Sequence, residues 1–514
     1  MYLTQGLHRA VRQHPDDVML ICGERTTTFQ QVHDRVARLA GALRSLDVAA
    51  GDRVAILGLN SDRYGEYLLA VPWSNAVLNP VNIRWSPAEI IYSLADSQSS
   101  VLFIDDAFAP MLPALIAGYP DLKTVIHYGD GPTPEGALSY EELVAATDPV
   151  EDARRGGDEL AGLFYTGGTT GFPKGVMLSH ANLINSTLGA LATGYLPHPG
   201  ARFLHAAPMF HLADLAGWTA QVVLGGSHII IPMFEPVAVL KAISDHRATD
   251  TLLVPVMIQL VVDHPACADY DLTSMEHVLY GASPVSEAVL ERALKAFPGA
   301  GFTQCYGMTE LAPVATLLGP EDHAKGLLRS AGRAAPHVEV RIVDDLGNEV
   351  PRGTVGEIVA SGANVMLGYW NRPDDTAAAI RDGWMHTGDG GYMDENGYVF
   401  VVDRIKDMIV SGGENVYSAE VENAIATHPA VASCAVVGVP DPQWGERVHA
   451  VVVCQPGIEV TFDEIRDHTK NLIAGYKAPR SLEIVTELPI SGAGKILKRE
   501  LRKKYWGEDA RQVN

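Results

Sequence analysis

Helical and strand periodicities alternate along this chain, and that alternation restricts it to an α/β fold. From Thr28 onward Phe29, Val32, Val36, Leu39, Ala40 and Leu43 recur at the spacing of one helix face, with Arg35, Arg38 and Arg44 outside the stripe. A turn at Gly51-Asp52 leads into a short apolar run at 53–58, which reads as a buried strand. Ser86-Pro87-Ala88-Glu89 supplies an N-cap, a proline at the first helical position and a capping glutamate. Further strands are expected at 101–104, 227–231, 251–254 and 277–280. Helices interleaved with buried strands imply mostly parallel sheets.

After about Gly332 the texture changes. Short strands at 338–343, 356–359 and 398–402 are separated by Gly, Asp and Asn turns, as in a small β-rich unit. Beyond Arg404 the pattern is strand, helix (418–427), strand (433–439), strand (447–454), helix (461–472) and strand (481–485). This reads as a separate α+β lid. The expected organisation is an N-terminal domain over 1–403, built of α/β subdomains plus the β-rich unit, a tight hinge at 404–407, and a lid over 408–514.

Bulk properties narrow the partners. The 514 residues allow about three structural units at roughly 150 residues each. A net charge of −23 argues against nonspecific binding to nucleic acid or anionic membrane, which both need a basic surface. An anionic ligand would therefore need local cations or backbone N–H groups inside a cleft. Cys22, Cys267, Cys305, Cys434 and Cys454 are odd in number and widely spaced, as in a reduced protein. The N-terminus lacks an apolar signal core, and the most apolar stretch, 221–234, is broken by Gly225, Gly226, Ser227 and His228. A soluble cytoplasmic protein without integral membrane association is expected.

The run most informative about chemistry is Tyr165-Thr-Gly-Gly-Thr-Thr-Gly-Phe-Pro-Lys-Gly175. Its glycines let backbone approach an anion closely, its threonines add hydroxyl donors, and Lys174 adds charge. A lone Gly/Thr turn would be an ordinary loop; Pro173-Lys174-Gly175 beside it is not ordinary. A Walker A loop does not fit, because this lysine follows proline and precedes glycine, and no early GxGxxG fingerprint occurs.

Six further segments follow in order: Pro208-Met-Phe-His211, Tyr280-Gly-Ala-Ser-Pro284, Gln304-Cys-Tyr-Gly-Met-Thr-Glu310, Gly383-Trp-Met-His-Thr-Gly-Asp389, Asp403-Arg-Ile-Lys-Asp-Met-Ile-Val-Ser-Gly-Gly-Glu-Asn415 and Pro489-Ile-Ser-Gly-Ala-Gly-Lys-Ile-Leu-Lys498. With the phosphate loop they resemble, nearly end to end, the adenylate-forming superfamily of acyl-CoA synthetases, luciferases and peptide-synthetase adenylation domains. The resemblance implies an ATP-dependent ligase that makes an acyl-adenylate and pyrophosphate, then an acyl thioester and AMP. ATP, Mg²⁺ and coenzyme A are the implied cofactors, and a homodimer is compatible with it.

Carboxylate activation needs charge neutralisation more than a base, since the nucleophile is already ionised. By resemblance, Thr166, Gly167, Gly168, Thr169, Thr170 and Lys174 hold the β- and γ-phosphates, with Gly167 where a serine is usual. Thr309 touches the α-phosphate, Glu310 binds Mg²⁺ and Tyr306 flanks the adenine. Gly281, Ala282 and Ser283 form the adenine platform, and Asp389 with Arg404 takes the ribose. Lys495 reaches the carboxylate and α-phosphate. Lys406 lies at the hinge about which the lid rotates after adenylation, bringing Ser411, Gly412 and Gly413 toward the pantetheine tunnel. Lys498, Arg499, Lys503 and Lys504 read as a solvated basic face, and Ser418, where the family commonly has proline, as a helix N-cap.

His211, Leu212, Ala213, Val256, Gly281, Cys305, Met308 and Ala312 are by resemblance near the acyl group, and most are small or apolar. None is Arg or Lys, which disfavours dicarboxylic acids. Amino-acid-activating relatives carry an aspartate where Phe210-His211 stands, and Asp214 is misplaced for that role. His211 is either a gate beside the carboxylate or a core histidine. Fatty acids and aryl or phenylpropenoid acids both fit. No carrier domain follows Asn514 in this sequence, so a diffusible thiol is the expected acceptor. A stand-alone enzyme loading a separate carrier protein is the rival enzyme, and a catalytically silent nucleotide-binding scaffold is the rival from another class.

Overall fold

The expected amphipathic helices bury their apolar faces, and most sheet strands are largely buried. The computed structural model describes residues 1–166, 173–281, 285, 287–405, 407–412, 414–490 and 496–506, with the side chain of Asn415 not described. Phe29–Ser45 is a helix capped by Thr28, whose hydroxyl accepts from the Gln31 N–H while the Gln31 side chain accepts from the Thr28 N–H. Its apolar stripe, Phe29 to Leu43, is fully buried. Pro87–Ser97 carries the same reciprocal cap between Ser86 and Glu89.

Two large sheets and a smaller one form the first 404 residues. In the first, the described strands run in the order Gly368–Tyr369, Lys174–Ser179, Leu160–Thr166, Val77–Pro80, Arg53–Leu57, Val101–Ile104, Thr124–His127 and Leu138–Ser139. In the second, Arg202–His205, Asp250–Leu252, His277–Gly281 and Gly301–Gly307 lie side by side, and each adjacent pair is parallel. The strand expected at 251–254 begins and ends earlier, because Pro255 opens a helix for which Val254 is the N-cap.

The β-rich unit is an antiparallel sheet containing Val338–Val343, Gly356–Gly362, Trp384–Met393 and Val399–Arg404. The last strand runs two residues beyond the expected 398–402, and that extension pairs Arg404 with Asp389. The small C-terminal domain follows as the strand Ile409–Ser411, the helix Ser418–Ala426, the long hairpin Val431–Asp441 and Gly445–Cys454, the helix Phe462–Leu472 and the strand Ser481–Ile484. It has its own core, with Val421, Ile425, Val436, Val448, Val452 and Ile465 at its centre.

Two local readings are corrected. Ser418 is the first residue of its helix rather than its cap; Tyr417 is the cap, and the Ser418 hydroxyl donates to Asp403 Oδ2 at 2.6 Å. Lys498 is not on a solvated face. Its Nζ lies 2.8 Å from Glu422 Oε1 and also donates to the Ser418 hydroxyl. Arg499, Lys503 and Lys504 do face solvent, as expected. Among the described residues no helix is long and apolar enough to cross a membrane.

Candidate active site

In a parallel sheet, ligands gather beyond the carboxyl ends of the strands, where loops are free to vary and helix N-termini converge. Four neighbouring strands here feed one such edge. Arg202–His205 leads to His211, which caps the helix Leu212–Leu224. Asp250–Leu252 leads to Val256 in the helix Pro255–Val262. His277–Gly281 ends on Gly281, paired with Cys305 of Gly301–Gly307. That strand then delivers Tyr306, Met308 and the single turn Thr309–Leu311. The expected acyl and adenine residues therefore follow the same ends of adjacent strands.

Gly281 is required by packing as well as by any ligand. A Cβ there would lie 2.1 Å from the Cys305 carbonyl oxygen. Burial pushes the Cys305 thiol up to about 12, so it stays neutral. Leu212 and Ala312 are buried, Ala213 and Met308 half-buried, and Val256 is exposed on its helix. His211 is not one of the fully buried core residues. It is half-buried, and its Nδ1 accepts from the Ala213 N–H at 3.3 Å.

Asp214 is completely buried, and its Oδ2 lies 2.8 Å from His205 Nδ1. It faces the sheet and is not placed to meet an ammonium group on a substrate.

The residues expected around the nucleotide fall into two contact groups. The Tyr306 hydroxyl donates to Asp389 Oδ2 at 2.8 Å, and Arg404 Nε lies 3.3 Å from Asp389 Oδ1. Burial and the neighbouring Asp389 hold Tyr306 well above the usual phenol range. In the second group, Lys174 stands opposite Thr166 at the mouth of the hairpin Leu160–Thr166 and Lys174–Ser179. Its Nζ donates to Asp375 Oδ1 at 2.8 Å, which holds the Asp375 carboxyl below its ordinary range. Glu310 is 6% exposed and accepts from the Tyr369 hydroxyl at 2.8 Å. Sequence reasoning missed Tyr369 and Asp375; Asp375 follows Pro373 at a helix start, where an acid reads as ordinary helix-end charge.

In the lid, Ser411 is buried, and the hydroxyl makes no hydrogen bond with the described groups. Gly412 adopts φ +64° with its N–H on the Trp444 carbonyl at 2.8 Å, and a Cβ there would press on the Trp444 ring. Gly167, Gly168, Thr169, Thr170, Ala282, Ser283, Lys406, Gly413 and Lys495 lie outside the described residues.

Glu310 offers a hard oxygen donor with the Thr309 residue beside it, and no cluster of three or more His, Cys, Asp or Glu that could hold a metal occurs among the described residues. Mg²⁺ is commonly held by one or two carboxylates plus nucleotide phosphates, so this donor set fits it.

The AMP-binding enzyme family model matches residues 7–370, and the model for the C-terminal domain of AMP-binding enzymes matches residues 420–495. The chain belongs to this family. It is similar to a feruloyl-CoA synthase of Amycolatopsis sp, 42% identical over 97% of this chain and 98% of the relative. It is also similar to the fatty acid–[acyl-carrier-protein] ligase ScoC of Streptomyces coeruleorubidus, 38% identical over 100% of this chain and 98% of that one. Among solved structures, the o-succinylbenzoate CoA synthetase MenE of Bacillus subtilis, in complex with its acyl-adenylate OSB-AMP, superposes with a TM-score of 0.86. It is 30% identical and covers 99% of each chain. As a member of the family, the chain is an ATP-dependent acid–CoA ligase acting through an acyl-adenylate, with ATP, Mg²⁺ and coenzyme A as cofactors.

Proposed function

We propose that this ligase activates a carboxylic acid with an uncharged apolar tail, an aryl or phenylpropenoid acid ahead of a fatty acid, and transfers it to coenzyme A. The observation that carries this reading is the set of residues at and after the four parallel strand ends: His211, Leu212, Ala213, Val256, Gly281, Cys305, Met308 and Ala312 include no Arg or Lys, and Asp214 is engaged by His205. An uncompensated second carboxylate would be costly there. The similarity to a feruloyl-CoA synthase favours the aryl branch.

In the reaction, a carboxylate oxygen attacks the α-phosphorus of ATP and pyrophosphate leaves. The coenzyme A sulfur then attacks the acyl carbon and AMP leaves. Thr309 and Lys495 act on the α-phosphate, the loop at 166–174 on the β- and γ-phosphates, and Asp389 with Arg404 on the ribose; His211 borders the carboxylate. Glu310 would hold Mg²⁺, whose chemistry is to neutralise phosphate charge. Domain boundaries at 403 and 408, with Lys406 in the hinge, let the lid present Lys495 first and Ser411, Gly412 and Gly413 second. Five cysteines without a disulfide support a cytoplasmic setting, and a homodimer is part of the same reading.

A panel of acids tests it, with pyrophosphate release measured with and without coenzyme A. Ferulate-type and fatty acids should release pyrophosphate and yield thioester; malonate and free amino acids should give little. A preference for malonate, or thioester formation only with a carrier protein, would overturn the assignment. In the same assay Lys495→Ala should lose adenylation while still converting supplied acyl-AMP to thioester.

A further inference from the structure

Tyr369 touches both halves of the phosphate machinery. Its hydroxyl donates to Glu310 Oε1 at 2.8 Å, and the Nζ of Lys174 lies 5.1 Å from its ring centroid. The residue is anchored from three directions. Gly368–Tyr369 is an edge strand paired with Lys174–Ser179, in the register Tyr369↔Val176. The Tyr369 N–H donates to the Thr376 hydroxyl at 2.9 Å, and the next turn of chain brings Asp375 to Lys174. The Glu310 carbonyl receives the Met366 N–H at 2.9 Å. One short segment, 366–376, therefore grips the carboxylate on one side and the lysine on the other.

We propose that Tyr369 is a positioning residue for the metal-bound nucleotide. Its hydroxyl orients the Glu310 carboxylate that would hold the cation. Its ring face and Asp375 together hold Lys174 at the mouth of the phosphate loop. A phenol is suited to this double task. The hydroxyl gives a directional, charge-assisted bond to a carboxylate, while the π face attracts an ammonium without neutralising it. This rests on the reading of Glu310 as the metal ligand and Lys174 as a phosphate contact.

The two functions of the ring separate by substitution. Tyr369→Phe keeps the face and removes the hydroxyl; Tyr369→Leu removes both. Calorimetric binding of ATP to the full chain, with Mg²⁺ and with EDTA, reads the difference without turnover. Tyr369→Phe should weaken Mg²⁺–ATP about tenfold, the scale of one hydrogen bond to a charged group, and leave metal-free ATP unchanged. Tyr369→Leu should weaken both. Glu310→Gln and Lys174→Ala are the reference arms. If Glu310→Gln leaves the magnesium dependence intact, the metal-ligand reading falls and the inference falls with it. If Glu310→Gln abolishes that dependence while Tyr369→Phe binds Mg²⁺–ATP like the parent, Tyr369 is not a positioning residue. Equal losses for Tyr369→Phe with and without Mg²⁺ would also overturn it, because they would mark general damage to the site.

Discussion

The ribose role proposed for Asp389 rests on a ladder position. It faces Arg404 across the strands Trp384–Met393 and Val399–Arg404 and receives the Tyr306 hydroxyl from another sheet. A carboxylate already accepting from a phenol and close to a guanidinium is held in one orientation, as the proposed ribose contact requires. Asp389→Asn keeps the shape and replaces one acceptor oxygen with a donor. The KM for ATP in pyrophosphate release should rise about tenfold, with the KM for the acid little changed; an unchanged ATP KM would remove Asp389 from the nucleotide site. The motif around Asp389 was legible in the sequence, but an Asp preceding Gly is most often a turn residue. Its partner Tyr306, 83 residues away, became visible only when the two sheets met.

At the scale of elements, the strand Val399–Arg404 and two helices of the C-terminal domain share a largely buried polar junction. Asp403 is the next-to-last residue of that strand, Ser418 and Glu422 lie on the helix Ser418–Ala426, and Lys498 opens the helix Lys498–Trp506. Burial opposes the Lys498 charge, but Glu422 and Asp403 outweigh it and hold the ammonium protonated. Removing one partner of such a cluster leaves the others charged and buried. Lys498→Met should therefore cost about 3–5 kcal/mol and speed amide exchange in 418–426. Exchange equal to that of the parent would contradict the clamp. The basic run at 498–504 suggested a solvated face because a helix with so many charges usually is one. Which of its positions turned inward depended on Asp403 and Glu422, which come from elsewhere in the chain.

For the whole molecule, several histidines are folded away in neutral form. Burial lowers His180 and His449 to about 4, and holds His228, stacked against His205, well below its ordinary range. An unfolded histidine binds its proton near pH 6.5. Between about pH 4 and 6.5 the unfolded chain thus holds more protons than the native one. This stabilising contribution is complete above that window and is lost as the pH falls through it. Each such histidine adds a slope of about 1.4 kcal/mol per pH unit. Urea midpoints from pH 4.5 to 7.5 should drop on acidification, and His180→Gln should make the drop shallower; an identical slope would show that His180 is not protonated on unfolding.

By itself the sequence determined the alternation of helices and buried strands, the helix caps at Thr28 and Ser86, the β-rich unit and the order of the adenylating motifs. These depend on spacing and local hydrogen bonding, which are written along the chain. Only the tertiary structure decided that Tyr369 bridges Glu310 and Lys174 and that Lys498 turns inward onto Glu422. Each of these is a pairing between segments far apart in sequence. Such a choice depends on which charges and hydroxyls packing brings within about 3 Å, and no periodicity records it.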